Sequence, residues 1–120
     1  MLDIYQQQII DRSQHPQFRG VVANATHTAT GANLSCGDEI RFEARIEAGS
    51  IQEIKHQGRA CAVCTASADL LAEHLTDKPL SVIQETKKEG IPAMLGIPLS
   101  PVRLKCALLP LETLKSLEEA

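Results

Sequence analysis

The sequence contains no tryptophan and only three other aromatic side chains, one tyrosine and two phenylalanines. Apolar residues nevertheless make up 43% of its 120 residues. The core must therefore be built mainly from aliphatic side chains. A chain of this length can enclose one hydrophobic core but not two, so we expect a single domain over residues 1–120.

Long apolar runs and clusters of positive charge are also missing. No segment approaches the ~20 apolar residues that a membrane-spanning helix needs, and residues 1–5 lack the basic and apolar regions of a signal peptide. The net charge is -3, with no basic run or aromatic platform. We therefore expect a cytoplasmic protein with neither a membrane nor a nucleic acid as partner. In a reducing compartment, its four cysteines indicate metal or redox chemistry more than a disulfide framework.

Two of these cysteines lie where a glycine-containing turn leads into a predicted helix. Apolar residues recur at helical spacing from Val63 to Leu75, which places Cys61 and Cys64 in or just before the first turn. Asp69 falls among the polar residues expected to point away from the apolar stripe. Unpaired N–H groups and the helix dipole favour thiolate at a helix start. A C-x-x-C pair alone, however, is about equally compatible with two structural thiols.

A predicted hairpin places further polar groups beside this helix start. Residues 39–47 alternate between apolar and charged side chains, 48–50 form a turn, and 51–57 return as an antiparallel strand. Residues 21–28 are rich in β-branched side chains and predict an earlier strand, followed by a glycine-containing loop over 31–38. Since the hairpin returns to its starting end, Cys36, Asp38 and Cys61 should meet at one end of the sheet.

The remaining segments favour helices. We predict a first helix over 2–13, a short one from Pro79 to about residue 88 that ends at Gly90, and mostly turn or brief helix over 91–101. Pro110 suits the first turn of a final helix, with Cys106 just ahead of it.

Three cysteine motifs follow one another along the chain: Asn33-x-x-Cys36-Gly37-Asp38, Cys61-Ala62-Val63-x-x-Ala66-Ser67-Ala68 and Pro101-Val102-Arg103-Leu104-Lys105-Cys106-Ala107-x-Leu109. In this order they resemble the motifs of the IscU/SufU family of iron-sulfur cluster assembly scaffolds, also called the NifU N-terminal-like family. Residues 15–20 are similar to the segment that follows the family's first helix.

This resemblance implies an α+β fold, with a three-stranded antiparallel sheet and helices packed on one face. It implies a metal site formed by Cys36, Asp38, Cys61 and Cys106 that holds a transient [2Fe-2S] cluster or, in purified protein, Zn(II). The implied role is that of a scaffold rather than an enzyme. Sulfur would come from a cysteine desulfurase, and the assembled cluster would pass to apo iron-sulfur acceptor proteins.

The chain also departs from the family's pattern. Lys105 precedes the last ligand cysteine, as in the SufU branch, although the insertion typical of that branch is missing. Cys64 stands where the family has serine and is an auxiliary candidate, either as a further ligand or as a resolving thiol, and Lys105 is another. Residues Leu99 to Arg103 approximate the family's chaperone-recognition stretch.

Two alternatives remain open at this point. A zinc-dependent sulfurtransferase would accept persulfide from a desulfurase without building a cluster. A C-x-x-C thiol oxidoreductase would use Cys61 and Cys64 as its redox pair and predicts a strand leading directly into the helix, but it leaves Cys36, Asp38 and Cys106 without a role. His27, His56 and His74 are isolated and are expected to be solvated or core histidines.

Overall fold

The computed structural model describes residues 4–119, and their side chains from residue 6 onward. An N-terminal helix precedes an antiparallel sheet, and four further helices follow the third strand. In chain order the elements are α1 (Ile4–Gln14), β1 (His27–Asn33), β2 (Asp38–Glu47), β3 (Ser50–Gln57), α2 (Ala62–Leu75), α3 (Ser81–Glu85), α4 (Gly90–Leu95), α5 (Pro101–Leu114) and β4 (Glu118–Glu119). Each described helix is too short or too polar to span a bilayer.

The fold is α+β as predicted, but the sheet has four strands rather than three. Its order is β3-β2-β1-β4, and neighbouring strands are antiparallel. The additional strand, β4, pairs Glu118 and Glu119 with Thr28 and His27. Two adjacent glutamates carry no strand signal, so this short pairing depends on where α5 ends rather than on local preference.

The predicted hairpin is confirmed. On β2 the side chains of Ile40, Phe42 and Ala44 are buried, whereas the residues between them are exposed or half-buried. The turn consists of Ala48 and Gly49, with φ of 51° and 77°, the positive values that a tight two-residue turn between twisted strands requires. Helices α2 and α5 cover the apolar face, and the core between them is almost entirely aliphatic.

The predicted first strand is displaced along the chain. Residues 21–26 are not a strand, and β1 instead continues to Asn33 through a segment predicted as loop. Alanine, glycine and asparagine have low strand propensity, but the ladder with β2 overrides it. Gly31 is needed because a Cβ there would overlap the Thr113 hydroxyl of α5.

The last helix begins earlier than predicted. Pro101 occupies its first turn, where a missing N–H is harmless, and the Ser100 hydroxyl caps it by accepting the N–H of Arg103. Pro110 therefore lies inside α5 rather than at its start. Cys106 is consequently a buried residue in the middle of α5, rather than part of a preceding loop.

The shorter helices also differ from expectation. The helix predicted from Pro79 to residue 88 is limited to Ser81–Glu85, and Gly90 begins α4 instead of ending a helix. The brief helix expected within 91–101 corresponds to part of α4. The first helix ends at Gln14, close to prediction, while the predicted start at residue 2 lies outside the described residues.

Candidate metal centre

The loop of residues 34–37 presents the first cysteine at the end of the sheet. The carbonyl of Asn33 accepts the N–H groups of Cys36 and Gly37 at 3.2 and 2.8 Å, and Gly37 adopts a φ of 75°. The thiol of Cys36 is exposed, whereas Asp38, the first residue of β2, is only 3% exposed. The loop thus holds one outward thiol next to one buried carboxylate.

The segment after β3 returns to this end of the sheet because Gly58 allows close backbone contact. Gly58 has a φ of 128°, and a Cβ there would overlap the carbonyl oxygen of Glu39. The Glu39 N–H donates to the Arg59 carbonyl at 2.7 Å. Two residues later the Cys61 N–H donates to Asp38 Oδ1 at 2.9 Å, so the start of α2 is bound directly to the buried carboxylate.

The third cysteine comes from α5. Cys106 is buried, and its Sγ lies 3.6 Å from Cys36 Sγ. The buried Ser67 hydroxyl of α2 donates to the Ala107 carbonyl at 2.7 Å, which connects the two helices next to this thiol. Residues 70 positions apart in sequence are therefore brought into contact by helix packing.

Three potential ligands converge here. One sulfur each from Cys36 and Cys106 and one carboxylate oxygen of Asp38 all lie within 4.8 Å of one another. Asp38 Oδ2 is buried and has no hydrogen-bond partner among the described residues. An unpartnered buried carboxylate oxygen costs stability, and a bound cation would offset that cost. Two thiolates with a carboxylate form a suitable donor set for zinc or iron.

The fourth predicted ligand, Cys61, is not part of this three-residue set. It is the N-cap of α2: its Sγ accepts the N–H of Cys64 at 3.5 Å, while its own N–H holds Asp38. Its thiol is exposed and close enough to Cys106 to influence that residue's pKa. Cys61 thus lies at the margin of the centre.

Burial and nearby negative groups keep two of the thiols protonated. Burial raises the pKa of Cys106 well above its usual range, and the neighbouring Asp38, Cys36 and Cys61 side chains raise it further. Burial likewise raises the pKa of Cys64, followed by the charge of Asp38. Since a bound metal favours thiolate, metal binding here has to displace protons.

The auxiliary candidates lie in different surroundings. Lys105 is exposed and lines a shallow groove with the 33–35 loop, directly beside the centre. Cys64 is fully buried in the hydrophobic core. None of the three isolated histidines belongs to the three-residue set.

One buried carboxylate was not anticipated. Asp69, expected on the polar side of α2, is 0% exposed, and it joins His56 at 3.0 Å and Arg12 at 2.9 Å. Its oxygens also accept the backbone N–H groups of Gln17 and Phe18. Burial alone would raise the pKa of Asp69, but these four donors together lower it. The sequence signal that could have revealed this burial is His56. It lies two residues after Ile54, on the buried face of β3, where a histidine needs a polar partner.

Comparison with known proteins supports the family resemblance. The family described as NifU-like N terminal domain matches residues 4–117. An iron-sulfur cluster assembly scaffold protein IscU of Thermotoga maritima is 31% identical, with 93% of this chain and 90% of the relative aligned. A zinc-dependent sulfurtransferase SufU of Bacillus subtilis is 26% identical over 88% of this chain and 83% of the relative.

The fold agrees with a solved structure. A crystal structure from Fervidobacterium islandicum, described as an iron-sulfur cluster assembly scaffold protein for the SUF system, superposes with a TM-score of 0.79. That chain is 27% identical, and the match covers 91% of this chain and 92% of the other. With a family match over nearly its full length and a shared fold, this chain belongs to the NifU-like N-terminal domain family, which includes IscU and SufU.

Proposed function

We propose that this chain is an iron-sulfur cluster assembly scaffold that accepts sulfur, builds a [2Fe-2S] cluster and transfers it to acceptor proteins. The observation that carries the proposal is the convergence of Cys36, Asp38 and Cys106, with one buried carboxylate oxygen left unpartnered. The cluster is cargo in this scheme rather than a resident cofactor. The name of the T. maritima relative supports the same role.

The chemistry of each side chain determines the role that we propose for it. Cys36, Cys61 and Cys106 are the proposed sulfur acceptors and thiolate ligands, because thiolates bind iron in clusters well. Asp38 is the proposed fourth ligand. A carboxylate binds iron in a cluster less well than a thiolate does. Asp38 would therefore hold one iron of the cluster more weakly and allow the cluster to be released. Lys105, next to Cys106, provides a nearby positive charge that favours thiolate.

The surroundings of the centre suit protein partners. Leu34 is 94% exposed in the loop beside Cys36, and Val102 is 63% exposed on α5 one turn before Cys106. Exposed apolar side chains at a reactive site are typical of protein contacts. We propose that a cysteine desulfurase and apo acceptor proteins bind this same surface one after the other. A chaperone contact at residues Leu99 to Arg103 stays a prediction of the family resemblance.

A second function, zinc-dependent sulfur transfer, is favoured by two observations. The SufU relative bears that name, and the residue before the last cysteine is Lys105, as in that branch. Two thiolates and a carboxylate, completed by Cys61, would give zinc its usual four ligands. In that case the protein would act as a sulfurtransferase instead of a non-enzymatic scaffold.

The thiol oxidoreductase alternative has less support. It predicts that a strand leads directly into the C-x-x-C helix, whereas residues 58–61 separate the end of β3 from the start of α2. It also gives no role to the unpartnered oxygen of Asp38.

Anaerobic reconstitution separates these functions. The scaffold proposal expects metal-free protein given ferrous iron and sulfide to develop the visible absorption of a [2Fe-2S] cluster and to pass that cluster to an apo-ferredoxin. A zinc sulfurtransferase should retain zinc on purification and form no transferable cluster. A dithiol reduction assay tests the oxidoreductase alternative.

The Asp38→Ala variant tests the labile-ligand role within the same assay. If the carboxylate loosens the cluster, the variant should hold its cluster longer and transfer it more slowly than the wild type. Glu39→Ala, at the adjacent exposed position, is the matched control and should leave both rates unchanged. Faster cluster loss in Asp38→Ala would show that the carboxylate is an ordinary stabilising ligand and would favour the zinc function.

A further inference from the structure

The second thiol of the C-x-x-C pair has no part in the centre described above. Cys64 is 0% exposed and is not a member of the three-residue ligand set. Its backbone N–H nevertheless donates to Cys61 Sγ at 3.5 Å, because Cys61 caps the helix that contains Cys64. The Cys61 side chain is therefore folded over the first turn of α2, toward Cys64.

This arrangement suits a disulfide between the two residues. Helix geometry places the Cα atoms of positions i and i+3 about 5 Å apart, within the separations of about 4.4–6.8 Å that disulfides span. Their Cβ atoms, about 5–6 Å apart in a regular helix, must approach to about 3.5–4.5 Å, and the extended backbone of Cys61 at the N-cap can adjust to allow this. Since Cys64 is buried, an outside reagent does not reach its sulfur, whereas Cys61 is exposed.

We propose that Cys64 is a resolving thiol that reduces a persulfide carried on Cys61 and releases it as sulfide. This inference rests on the proposed function, in which Cys61 is one of the sulfur acceptors. A persulfide carries sulfur at the oxidation state of elemental sulfur, but a cluster contains sulfide. Two electrons are therefore needed for each sulfur, and this cysteine pair provides them.

The reaction balances without further reagents. The Cys64 thiol, which burial keeps protonated, transfers its proton to the outer sulfur of the persulfide as its own sulfur attacks Cys61 Sγ. The Cys61–Cys64 disulfide forms and the bond between Cys61 Sγ and the outer sulfur breaks. The outer sulfur leaves with the bonding electron pair and takes the Cys64 proton, which gives hydrogen sulfide. The outer sulfur is reduced by two electrons, and the two cysteines are oxidised to the disulfide.

A further turnover requires an external dithiol reductant. Its thiolate attacks the exposed Cys61 sulfur rather than the buried Cys64 sulfur, so Cys64 leaves as a thiol and the second thiol of the reductant completes the exchange. The order of the steps thus follows from the fact that outside reagents reach the Cys61 sulfur but not the Cys64 sulfur. The exposed cysteine faces both sulfur donor and reductant, and the buried cysteine reacts only with its neighbour.

The test uses metal-free, fully reduced protein under anaerobic conditions, with low-molecular-weight thiols removed. Glutathione persulfide is the sulfur donor, so that no desulfurase has to be identified. Released sulfide is measured together with the masses of tryptic peptides. Both cysteines fall within residues 60–87, since trypsin does not cleave between Lys78 and Pro79, while Cys36 and Cys106 fall in separate peptides. We expect sulfide release in step with the loss of two hydrogens from the 60–87 peptide.

Matched variants identify the resolving residue. Cys64→Ser should lose the rapid sulfide release and accumulate persulfide on Cys61, seen as one added sulfur on the 60–87 peptide. Cys64→Ala is a second variant that places no hydroxyl in the core. Thr65→Ser, in the same turn of α2, retains both thiols and should behave as the wild type does.

Several results would overturn the proposal. Three results would each exclude it: a wild type that keeps its persulfide, sulfide release from both Cys64 variants at the wild-type rate, or a disulfide that joins Cys61 to Cys36 or Cys106. If both variants fail to fold, the mass of the wild-type peptide that contains Cys61 and Cys64 still shows whether the disulfide forms. The proposed scaffold function is judged separately, since reconstitution of the wild type from ferrous iron and inorganic sulfide requires no persulfide reduction.

Discussion

Asp38 and Asp69 are both buried carboxylates, but their surroundings give them opposite roles. Both oxygens of Asp69 are engaged, by His56, Arg12 and two backbone N–H groups. Asp38 accepts one backbone N–H, and its second oxygen has no partner among the described residues. Removal of a fully partnered buried charge destabilises a fold, because its partners are left unpaired, whereas a carboxylate with a free oxygen between two thiols is suited to a cation.

The position of each aspartate fits its role. Asp69 lies in the middle of α2 and connects α1, the 17–18 segment and β3. It therefore holds together elements that are distant in sequence. Asp38 lies at the start of β2, beside a loop and a helix start, where the neighbouring Cys36 and Cys61 are exposed. Four predictions test this contrast.

Asp69→Ala should have the largest effect on the fold. The substitution leaves Arg12 and His56 without their buried partner, and loss of one member of such a network typically costs about 3–5 kcal/mol. We expect a decrease of this size in the free energy of unfolding, measured with urea. Glu73→Ala is the control: it removes the exposed partner of the same arginine, so about 0–1 kcal/mol is expected. Equal losses in the two variants would contradict a special role for Asp69.

Serine at Cys36 or Cys106 should affect metal binding instead of folding. An alcohol is a poor anionic ligand near neutral pH, so zinc affinity should fall by at least about 100-fold, or ~2.7 kcal/mol. Cys61→Ser tests whether the marginal cysteine is a ligand and is expected to lose binding as well. Cys64→Ser should lower zinc affinity less than these substitutions do. Competition with a chromogenic chelator measures each affinity, and full zinc binding by any of the first three would remove that residue from the site.

Asp38→Ala should change the stability of the metal-free protein very little. The variant loses one hydrogen bond from Cys61 but also removes a buried oxygen that has no partner, and these terms nearly cancel. We expect the free energy of unfolding to change by less than about 1 kcal/mol, measured with urea and a chelator present. A loss as large as that of Asp69→Ala would show that both carboxylates are structural.

Acid should remove the contribution of Asp69 in a defined direction. Its pKa is lowered in the folded protein, so its ionic contribution is fully present above about pH 4, the usual range for an unfolded aspartate, and is lost as pH falls through the lower folded value. The stability difference between wild type and Asp69→Asn should therefore shrink as pH falls below about pH 4. Urea unfolding at a series of pH values from about 5 downward measures it. A difference that grows as pH falls below about 4 would contradict the direction of the shift.

Local sequence signals predicted the parts of the fold that depend on near neighbours. Alternation at Ile40, Phe42 and Ala44 located β2 and its buried face, and the hairpin geometry brought Cys36 and Asp38 toward Cys61. The predictions were wrong where contacts with residues distant in sequence determine the secondary structure. Residues 29–33 form a strand only because β2 lies beside them, and the extent of α5 depends on the cap at Ser100 and the packing that accommodates Pro110.

The sequence by itself determined the family, the hairpin, the central helix and the residue types available for metal chemistry, because each of these depends on short-range spacing. Only the tertiary structure decided which side chains meet. It places Cys36, Asp38 and Cys106 in one set, leaves Cys61 at its margin, and buries Asp69 among partners from three elements. Such groupings depend on the packing of α2 and α5 against the sheet, and hydrophobic burial fixes that packing over the whole chain.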